Sequence, residues 1–292
     1  MWILFIFLAQ MPQFARSQTT LQVVTKTIQK TSPWKPGQSL EINCEKAEIL
    51  VETAPEGQKS IQIRAELSAR HPKLDSARHD LDTWKFVVSS IGKKIYVRAY
   101  VGVSSKEALP TSNLKAKITV TAPAGCPVVL TNKFGSAALE NRVGAVQLSG
   151  EFCAFTLIEM TGGVQVDSKY GNVEGRGLKG PVDIQSKRAD VSLSNLTGDC
   201  TIKNEYGRVR LEGSSQTGNV SISNSKGDVI LNLAAPYRHN LELNAGSGTV
   251  RTPLSFQLDA GASVTNSHAT LHQGKAMPKI SVQTTIGNII LE

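Results

Sequence analysis

The sequence predicts an all-β protein: a parallel β-solenoid with about 18 residues per coil, preceded by a mostly-β N-terminal capping region that carries one short helix. Three observations predict this class. Apolar residues recur every nine positions in the middle of the chain, and aromatic residues recur there at twice that interval. In addition, the 292 residues include 24 glycines and only 19% charged residues. This composition favours short strands and tight turns over helical bundles.

The N-terminus has the pattern of an export signal. Residues 2–9 form an apolar run that is too short to span a bilayer, and small residues follow at Ala15 and Ser17, the positions that a signal peptidase recognises. We therefore expect a cleaved signal over residues 1–17 and no transmembrane segment in the mature chain. The protein would then be periplasmic, outer-membrane-associated or extracellular. A short uncleaved anchor is the alternative, because no Lys or Arg precedes the apolar run.

The positive charge is concentrated in the N-terminal third. The net charge is +8, of which residues 18–130 contribute +6. Nucleic acid is not an expected partner, because an exported chain without interleaved aromatic and basic residues lacks the usual binding pattern. The expected partner is an unidentified envelope or extracellular ligand. The candidates for the basic face are an anionic glycan or other envelope polymer and a membrane surface, with Lys93 and Lys94 as candidate contacts. The alternative is a solvated basic face without a partner.

Residues 20–130 lack the nine-residue period, and their alternating, β-branched sequence predicts eight strands. The expected strands lie near residues 21–28, 38–44, 47–53, 60–67, 85–90, 93–100, 115–122 and 127–131. Between the fourth and fifth, apolar residues at helical spacing after Pro72 predict one amphipathic helix over residues 72–84. Because an open solenoid end exposes unpaired strand edges, we interpret residues 18–126 as a capping region.

Residues 127–292 are interpreted as the solenoid with its C-terminal closing strands. An apolar residue recurs there at a spacing of nine, interrupted by one two-residue insertion near Ser214. The residues are Val146, Phe155, Val164, Val173, Val182, Val191, Cys200, Val209, Val220 and Val229. A second apolar residue follows most of them by two positions, and a small residue precedes most of them by two. Since residues i and i+2 of a strand share a face, each unit predicts one short strand with two core side chains.

One such unit cannot fold alone. Burying two aliphatic side chains contributes about 3–6 kcal/mol, whereas fixing nine residues costs about 1–2 kcal/mol each in backbone entropy. Stacking on neighbouring units is therefore required. Calcium-binding nonapeptide repeats are not predicted, because the turns lack the Gly-Gly-x-Gly-x-Asp pattern.

Aromatic residues mark a longer period of eighteen. Phe134, Phe152, Tyr170 and Tyr206 are spaced by multiples of eighteen, and Arg188 occupies the vacant place. Two nine-residue units therefore form one coil, and like residues lie over one another. We interpret the aromatic column as buried corner packing rather than a carbohydrate-binding ladder.

The C-terminal segment predicts further strands. They are expected near residues 239–244 and 248–258, before a loop, and the sequence over 287–291 repeats the strand signature. The chain is therefore expected to end on another coil.

The order of these elements is similar to a known family. An N-terminal strand pair, a short helix and the strand over residues 117–123 precede Tyr-Gly-x-Val units, such as those at Tyr170 and Tyr206. This pattern resembles the bacterial putative-adhesin family, a domain of unknown function in exported envelope proteins. The resemblance covers residues 35–233. It implies a β-helical, non-catalytic envelope protein and supplies no catalytic residues.

The cysteines and histidines give no strong site. Cys153 and Cys200 occupy inward positions and are expected to act as small apolar residues. A disulfide between Cys44 and Cys126 is the remaining candidate pairing, although sequence does not determine connectivity. His268 and His272 have a zinc-like spacing only in a helix, which their surroundings do not favour. No catalytic, cofactor-binding or metal-binding residue is predicted.

The sequence thus predicts a non-enzymatic, exported envelope protein whose rod serves adhesion, scaffolding or surface display. The alternative is a carbohydrate-active enzyme, a polysaccharide lyase or hydrolase, on the same kind of rod. Such an enzyme requires carboxylates gathered on one face of adjacent coils. Asp183 and Asp199 are sixteen residues apart and are expected on different phases, whereas Asp190 and Arg208 stack one coil apart as a candidate ion pair.

Overall fold

β-Strands form almost all of the regular structure. The structure is a computed structural model that describes residues 20–103, 108–257 and 259–292. The predicted signal over residues 1–17 lies outside these ranges. Two short helices and one 3-10 turn are the helical elements of the described ranges, so the all-β class is confirmed. None of the helices described is long and apolar enough to cross a membrane.

The N-terminal part closely follows the predicted strands. Its elements are β1 (Gln22–Pro33), β2 (Ser39–Glu45), β3 (Ala47–Thr53), β4 (Ser60–His71), α1 (Leu74–Leu81), β5 (Trp84–Ile91), β6 (Lys94–Val101) and β7 (Asn113–Ala122). Helix α1 is shorter than the predicted span of 72–84, because Trp84 already begins β5. Ala77 and Leu81 face the core, whereas Leu74 is exposed.

The strands that follow repeat at the predicted spacing up to residue 233. They are β8 (Val128–Glu140), β9 (Val146–Met160), β10 (Val164–Lys169), β11 (Val173–Leu178), β12 (Val182–Lys187), β13 (Val191–Glu205), β14 (Val209–Lys226), β15 (Val229–Leu233), β16 (Asn240–Ser247), β17 (Val250–Arg251), β18 (Ala262–Val264), β19 (His268–Leu271), β20 (Lys279–Ile286) and β21 (Ile289–Leu291), with helix α2 (Leu254–Gln257) after β17. The expected strand over 248–258 was wrong in its second half. Pro253 lacks the N–H that a strand ladder uses, and α2 follows it, with Phe256 buried.

The strands stack in parallel, one coil on the next. Val146 pairs with Val164, which pairs with Val182, which in turn pairs with Cys200, so each partner lies eighteen residues further along the chain. The offset grows to twenty between Cys200 and Val220, where residues around Ser214 add two positions. The longer strands β8, β9, β13 and β14 bend, and each pairs on both faces of the coil. The inward residues of both faces form one continuous hydrophobic core.

Both ends of the stack are interleaved in sequence. At the N-terminal end, β2 lies between β6 and β8, and β3 lies between β7 and β8. At the other end, β20 lies between β14 and β16, and β21 lies between β15 and β17. The final coil of the chain is therefore the penultimate coil of the stack. Antiparallel strands complete the ends, with β5 on β6, β4 on β7, β1 on β4, and β19 between β16 and β18.

A buried arginine anchors the turn between β7 and β8. Arg142 is fully buried, and it occupies the position that Met160, Leu178 and Leu196 fill in later coils. Its guanidinium donates hydrogen bonds to the carbonyl oxygens of Ala122, Pro123 and Cys126 at 2.7, 2.7 and 2.9 Å. Burial lowers the pKa of Arg142 below its ordinary value. The guanidinium thus supplies donors to three carbonyl groups of one turn.

A buried carboxylate ties helix α1 to the segment before β7. Asp80 Oδ2 accepts hydrogen bonds from the backbone N–H groups of Thr111 and Ser112 at 3.0 and 2.8 Å. Burial alone would raise the pKa of Asp80, but the hydrogen bonds from Ser112 and Thr111 outweigh it and lower the pKa below its ordinary value. The charged form therefore stabilises the fold.

This pKa shift predicts acid sensitivity. The contribution of Asp80 is fully present above its unfolded pKa of about 3.9, and it is lost as the pH falls through the lower folded value. We expect Asp80→Asn to lower the free energy of unfolding by about 1–2 kcal/mol at pH 7 and to flatten the fall in stability as the pH drops below about 5. Urea unfolding at each pH measures this. Exposed Asp82→Asn is the control, and equal pH slopes in wild type and Asp80→Asn would contradict the assignment.

Candidate functional site

The aromatic column lies along one corner of the stack, between the two faces. We define the corner column as Phe134, Phe152, Tyr170, Arg188, Tyr206 and Lys226. The first five of these residues have positive φ angles, between 53° and 66°. A left-handed residue followed by a small one turns the chain sharply, which brings the next strand onto the other face. The column is therefore a product of the turn geometry that repeats in each coil.

The small residues after the column permit close approach between coils. A Cβ atom added to Gly171 would lie 2.0 Å from the carbonyl oxygen of Cys153, and one added to Gly207 would lie 2.0 Å from that of Ala189. Neither contact is sterically tolerable, so glycine is required where the corner passes this closely over the preceding coil.

A buried polar ladder fixes the corner from inside. It consists of Asn132, Ser168, Ser186, Asn204 and Asn224, all of which are buried. The Asn132 amide donates to the carbonyl oxygen of Ala47 at 2.9 Å, and the Ser168 hydroxyl donates to that of Gly171 at 2.6 Å. These bonds satisfy carbonyl groups that the turn removes from the strand ladder, and they hold the column residues in one orientation.

The column is exposed, and this corrects the prediction of buried packing. Phe134 is 53% exposed and Tyr170 is 40% exposed. The rings nevertheless stack on each other, with centroids 5.3 Å apart for Phe134 and Phe152 and 4.6 Å apart for Phe152 and Tyr170. A left-handed residue at a convex corner directs its side chain outward. The faces of the rings therefore stack on one another, and their edges are exposed to solvent.

Cations continue the stack where the aromatic residues stop. The Arg188 guanidinium carbon lies 5.6 Å from the Tyr170 ring centroid and 5.9 Å from that of Tyr206. Lys226 Nζ lies 5.5 Å from the Tyr206 ring centroid. These distances are within the range of cation–π attraction. The corner column is thus one continuous ridge of ring edges and cationic groups.

The carboxylates of the repeat cap backbone groups. Asp190 Oδ1 accepts a hydrogen bond from the backbone N–H of Arg208 at 2.8 Å, and Asp199 Oδ1 accepts one from that of Asn219 at 2.7 Å. The predicted ion pair between Asp190 and Arg208 is therefore replaced by a bond to the backbone. Asp183 is exposed and pairs with Thr201, so it differs in phase from Asp199 as predicted, yet both carboxylates line one shallow groove of about 460 Å³.

All four cysteines are buried free thiols. Cys44 in β2 pairs with Asn132 on the neighbouring strand β8. Cys126 instead contacts the carbonyl oxygen of Gln38, just before the start of β2. The two thiols therefore lie toward opposite ends of β2, too far apart for the disulfide that the sequence left open. Burial raises the pKa of Cys44 and of Cys200 to about 12 and that of Cys153 to about 11, so these groups stay protonated at neutral pH.

The remaining candidates are separate surface groups. Lys94 forms an ion pair with Glu41 at 2.5 Å, while Lys93 is exposed on the turn between β5 and β6. His268 lies in β19 and His272 just after it, so neither is helical. Within the described ranges, no group of three His, Cys, Asp or Glu residues has the arrangement of a metal site.

Two repeated features were missed in the sequence. One is the buried Asn and Ser ladder, whose members recur mostly at multiples of eighteen. The other is the acceptor column in which Asn172 Oδ1 binds the backbone N–H of Asp190, one coil before the Asp190 bond to Arg208. Both could have been found by asking which polar residues share the eighteen-residue period.

The fold and the corner column define an all-β, solenoid-like repeat protein with an exposed aromatic and cationic ridge. A family model described as Toastrack DUF4097 matches residues 37–292. The chain belongs to this family, a domain of unknown function, which confirms the resemblance drawn from the sequence. The match crosses the predicted boundary at residue 126 without interruption.

Two solved structures are similar to this chain at low identity. One is described as a putative cell adhesion protein from Clostridium sporogenes; it is 10% identical, with 91% of this chain and 99% of that chain covered and a TM-score of 0.31. The other is described as a putative adhesin from Bacteroides fragilis; it is 11% identical, with 91% and 97% covered and a TM-score of 0.40. No curated protein matches the chain.

Proposed function

We propose that this chain is a non-catalytic, exported cell-envelope protein, a rod of stacked coils that serves adhesion, scaffolding or surface display. The observation that carries the proposal is the exposed corner column, which runs over five successive coils from Phe134 to Tyr206 and on to Lys226. Aromatic and arginine side chains are enriched where proteins bind partners. Their alignment on one rigid edge provides an extended contact surface.

The buried polar ladder supports this role because it fixes the column in place. Buried amides and hydroxyls hold the corner from inside, so little conformational entropy is lost when a partner contacts the ridge. The predicted export signal supports an envelope location, and the basic N-terminal third supports attraction to anionic envelope polymers.

Two measurements test the proposal together. The purified chain is screened on a glycan array and on cell-envelope fractions, and intact cells that express it are treated with protease. We expect retention on at least one envelope ligand and cleavage of the chain at the cell surface. A Tyr170→Ser and Tyr206→Ser double variant should bind less, while Ser149→Ala, on the exposed face, should bind as wild type. No retention by a folded wild-type chain would contradict the proposal.

The rival function is that of a carbohydrate-active enzyme, and the shared groove of Asp183 and Asp199 is the observation in its favour. Asp199 already binds a backbone N–H group, which suits a structural role. We expect no cleavage of an acidic polysaccharide by the wild-type chain. Cleavage that is abolished by Asp183→Asn or Asp190→Asn would establish the enzyme instead.

The basic face gives a separate prediction. Lys93 and Lys94 remain candidate contacts for an anionic glycan, and the ion pair with Glu41 leaves Lys94 partly neutralised. Replacing both lysines with Glu should weaken binding to a polyanion such as heparin and reduce its salt dependence. Elution from a heparin column at increasing salt measures this. Unchanged elution after the double replacement would remove the two lysines from the binding face.

A further inference from the structure

We propose that a cavity at the N-terminal end of the corner column binds one residue of a carboxylated glycan. The cavity has a volume of about 390 Å³. It lies where the link between β2 and β3, the start of β7 and the corner of β8 meet. Its lining includes Lys46, Glu48, Ser112, Asn113, Lys115 and Phe134. The inference rests on the proposed function and adds a ligand class and a defined site to it.

Phe134 differs from every other ring in the column. Phe152 stacks between Phe134 and Tyr170, and the faces of Tyr170 and Tyr206 are covered by neighbouring rings or cations. Phe134 stacks on Phe152 at an interplanar angle of 3°, and no ring or cation from the described ranges stacks on its other face. Phe134 also lines the cavity. The C–H face of a pyranose ring is apolar and partly positive, so it packs well on such a ring face.

The opposite wall supplies polar groups. Ser112 is only 8% exposed, and its backbone N–H donates to Asp80 Oδ2 at 2.8 Å, which holds this wall in place. Asn113 beside it is exposed and offers both donor and acceptor atoms. Sugar hydroxyl groups complement this set.

The charges of the cavity favour an acidic sugar. Lys115 forms an ion pair with Glu48 at 2.5 Å, which neutralises both groups. Lys46 is exposed and has no carboxylate within ion-pair distance among the residues described. The cavity therefore retains one uncompensated positive charge, which a carboxylate on the sugar would balance.

Calorimetric titration with two short saccharides tests the site. The protein is purified from cells that express the full 292-residue chain, and it is titrated with trigalacturonate, which is carboxylated, and with maltotriose, which is neutral. We expect trigalacturonate to bind at least tenfold more tightly than maltotriose. Phe134→Ala should weaken trigalacturonate binding at least tenfold. Tyr237→Ala is the control, because that exposed ring lies outside the corner column, in the turn over Pro236–Arg238, and it should change the affinity less than twofold.

Two further variants keep the test decisive if Phe134→Ala disturbs the left-handed corner. Asn113→Ala should weaken trigalacturonate binding at least threefold with an unchanged melting temperature. Lys46→Gln should remove most of the preference for trigalacturonate over maltotriose. Equal affinity in wild type, Phe134→Ala and Asn113→Ala would overturn the proposal, as would the absence of any heat of binding with a folded wild-type chain.

The outcome separates this site from the proposed function. If the wild-type chain is retained on envelope fractions and Phe134→Ala is retained equally, the cavity assignment is wrong and the display function stands. If the wild-type chain is retained on nothing, the proposed function itself is wrong.

Discussion

Removal of residues 279–292 should unfold the protein. This segment forms β20 and β21, which lie between other coils instead of at the end of the stack. Its four inward side chains, Ile280, Val282, Ile289 and Leu291, are almost fully buried. At about 1.5–3 kcal/mol each, their burial alone contributes about 6–12 kcal/mol, which is comparable to the whole stability of a typical domain.

The truncation also leaves strand edges unpaired on both sides, since β14 and β16 each lose a parallel neighbour. We expect loss of the cooperative thermal transition and a disordered or aggregated product, measured by circular dichroism and size-exclusion chromatography. A milder test uses Val282→Asp, with exposed Gln283→Asp as its control. A truncated chain that melts cooperatively within a few degrees of wild type would show that the final coil is peripheral.

The second large effect is expected at Val191. This residue is 1% exposed and lies in register between Val173 and Val209. Val191→Asp would bury a carboxylate among aliphatic side chains without a partner, and such a change costs at least about 4 kcal/mol. The neighbouring Ser192 points outward and is exposed. Ser192→Asp should therefore change the free energy of unfolding by less than about 0.5 kcal/mol.

Urea unfolding of both variants measures the difference. Because the two positions are adjacent in one strand, both variants place the same carboxylate at the same point of the stack, and the main difference is the direction of the side chain. Equal losses for Val191→Asp and Ser192→Asp would contradict the assignment of inward and outward positions. The result would also bear on every other coil, since each is built on the same alternation.

The strands and their stacking period could be predicted because both follow from local spacing. A strand places alternate side chains on one face, and the nine-residue repeat of Val146, Phe155 and Val164 recurs in every unit. The position of the corner column was also predictable from its eighteen-residue period. Its exposure was not, because the period places like residues over one another without showing on which side of the turn they lie.

The interleaved ends could not be predicted from the sequence. The coils present nearly equivalent aliphatic pairs, so Val220 and Ile222 could accept the strand with Leu241 and Leu243 as readily as the one with Ile280 and Val282. The choice depends on connections between elements distant in sequence, which periodicity does not encode. The cavity beside Phe134 was missed for the same reason, because its walls come from three separate segments.

Spin-label distances test the order of the coils most directly. One label is placed on the exposed residue Gln147, and the second in turn on Asp183, Thr201, Ser221, Ser281 or Glu242, which occupy successive positions on one face. The buried native thiols, with raised pKa values, should label slowly. At about 4.8 Å per strand, the distances should increase from about 10 Å for Asp183 to about 29 Å for Glu242.

The decisive comparison is between the last two positions. Ser281 lies further along the chain than Glu242, but the stack places it one strand nearer to Gln147. We expect steadily increasing distances, with Ser281 nearer than Glu242. A longer distance to Ser281 than to Glu242, or distances that do not increase from Asp183 to Ser221, would contradict it.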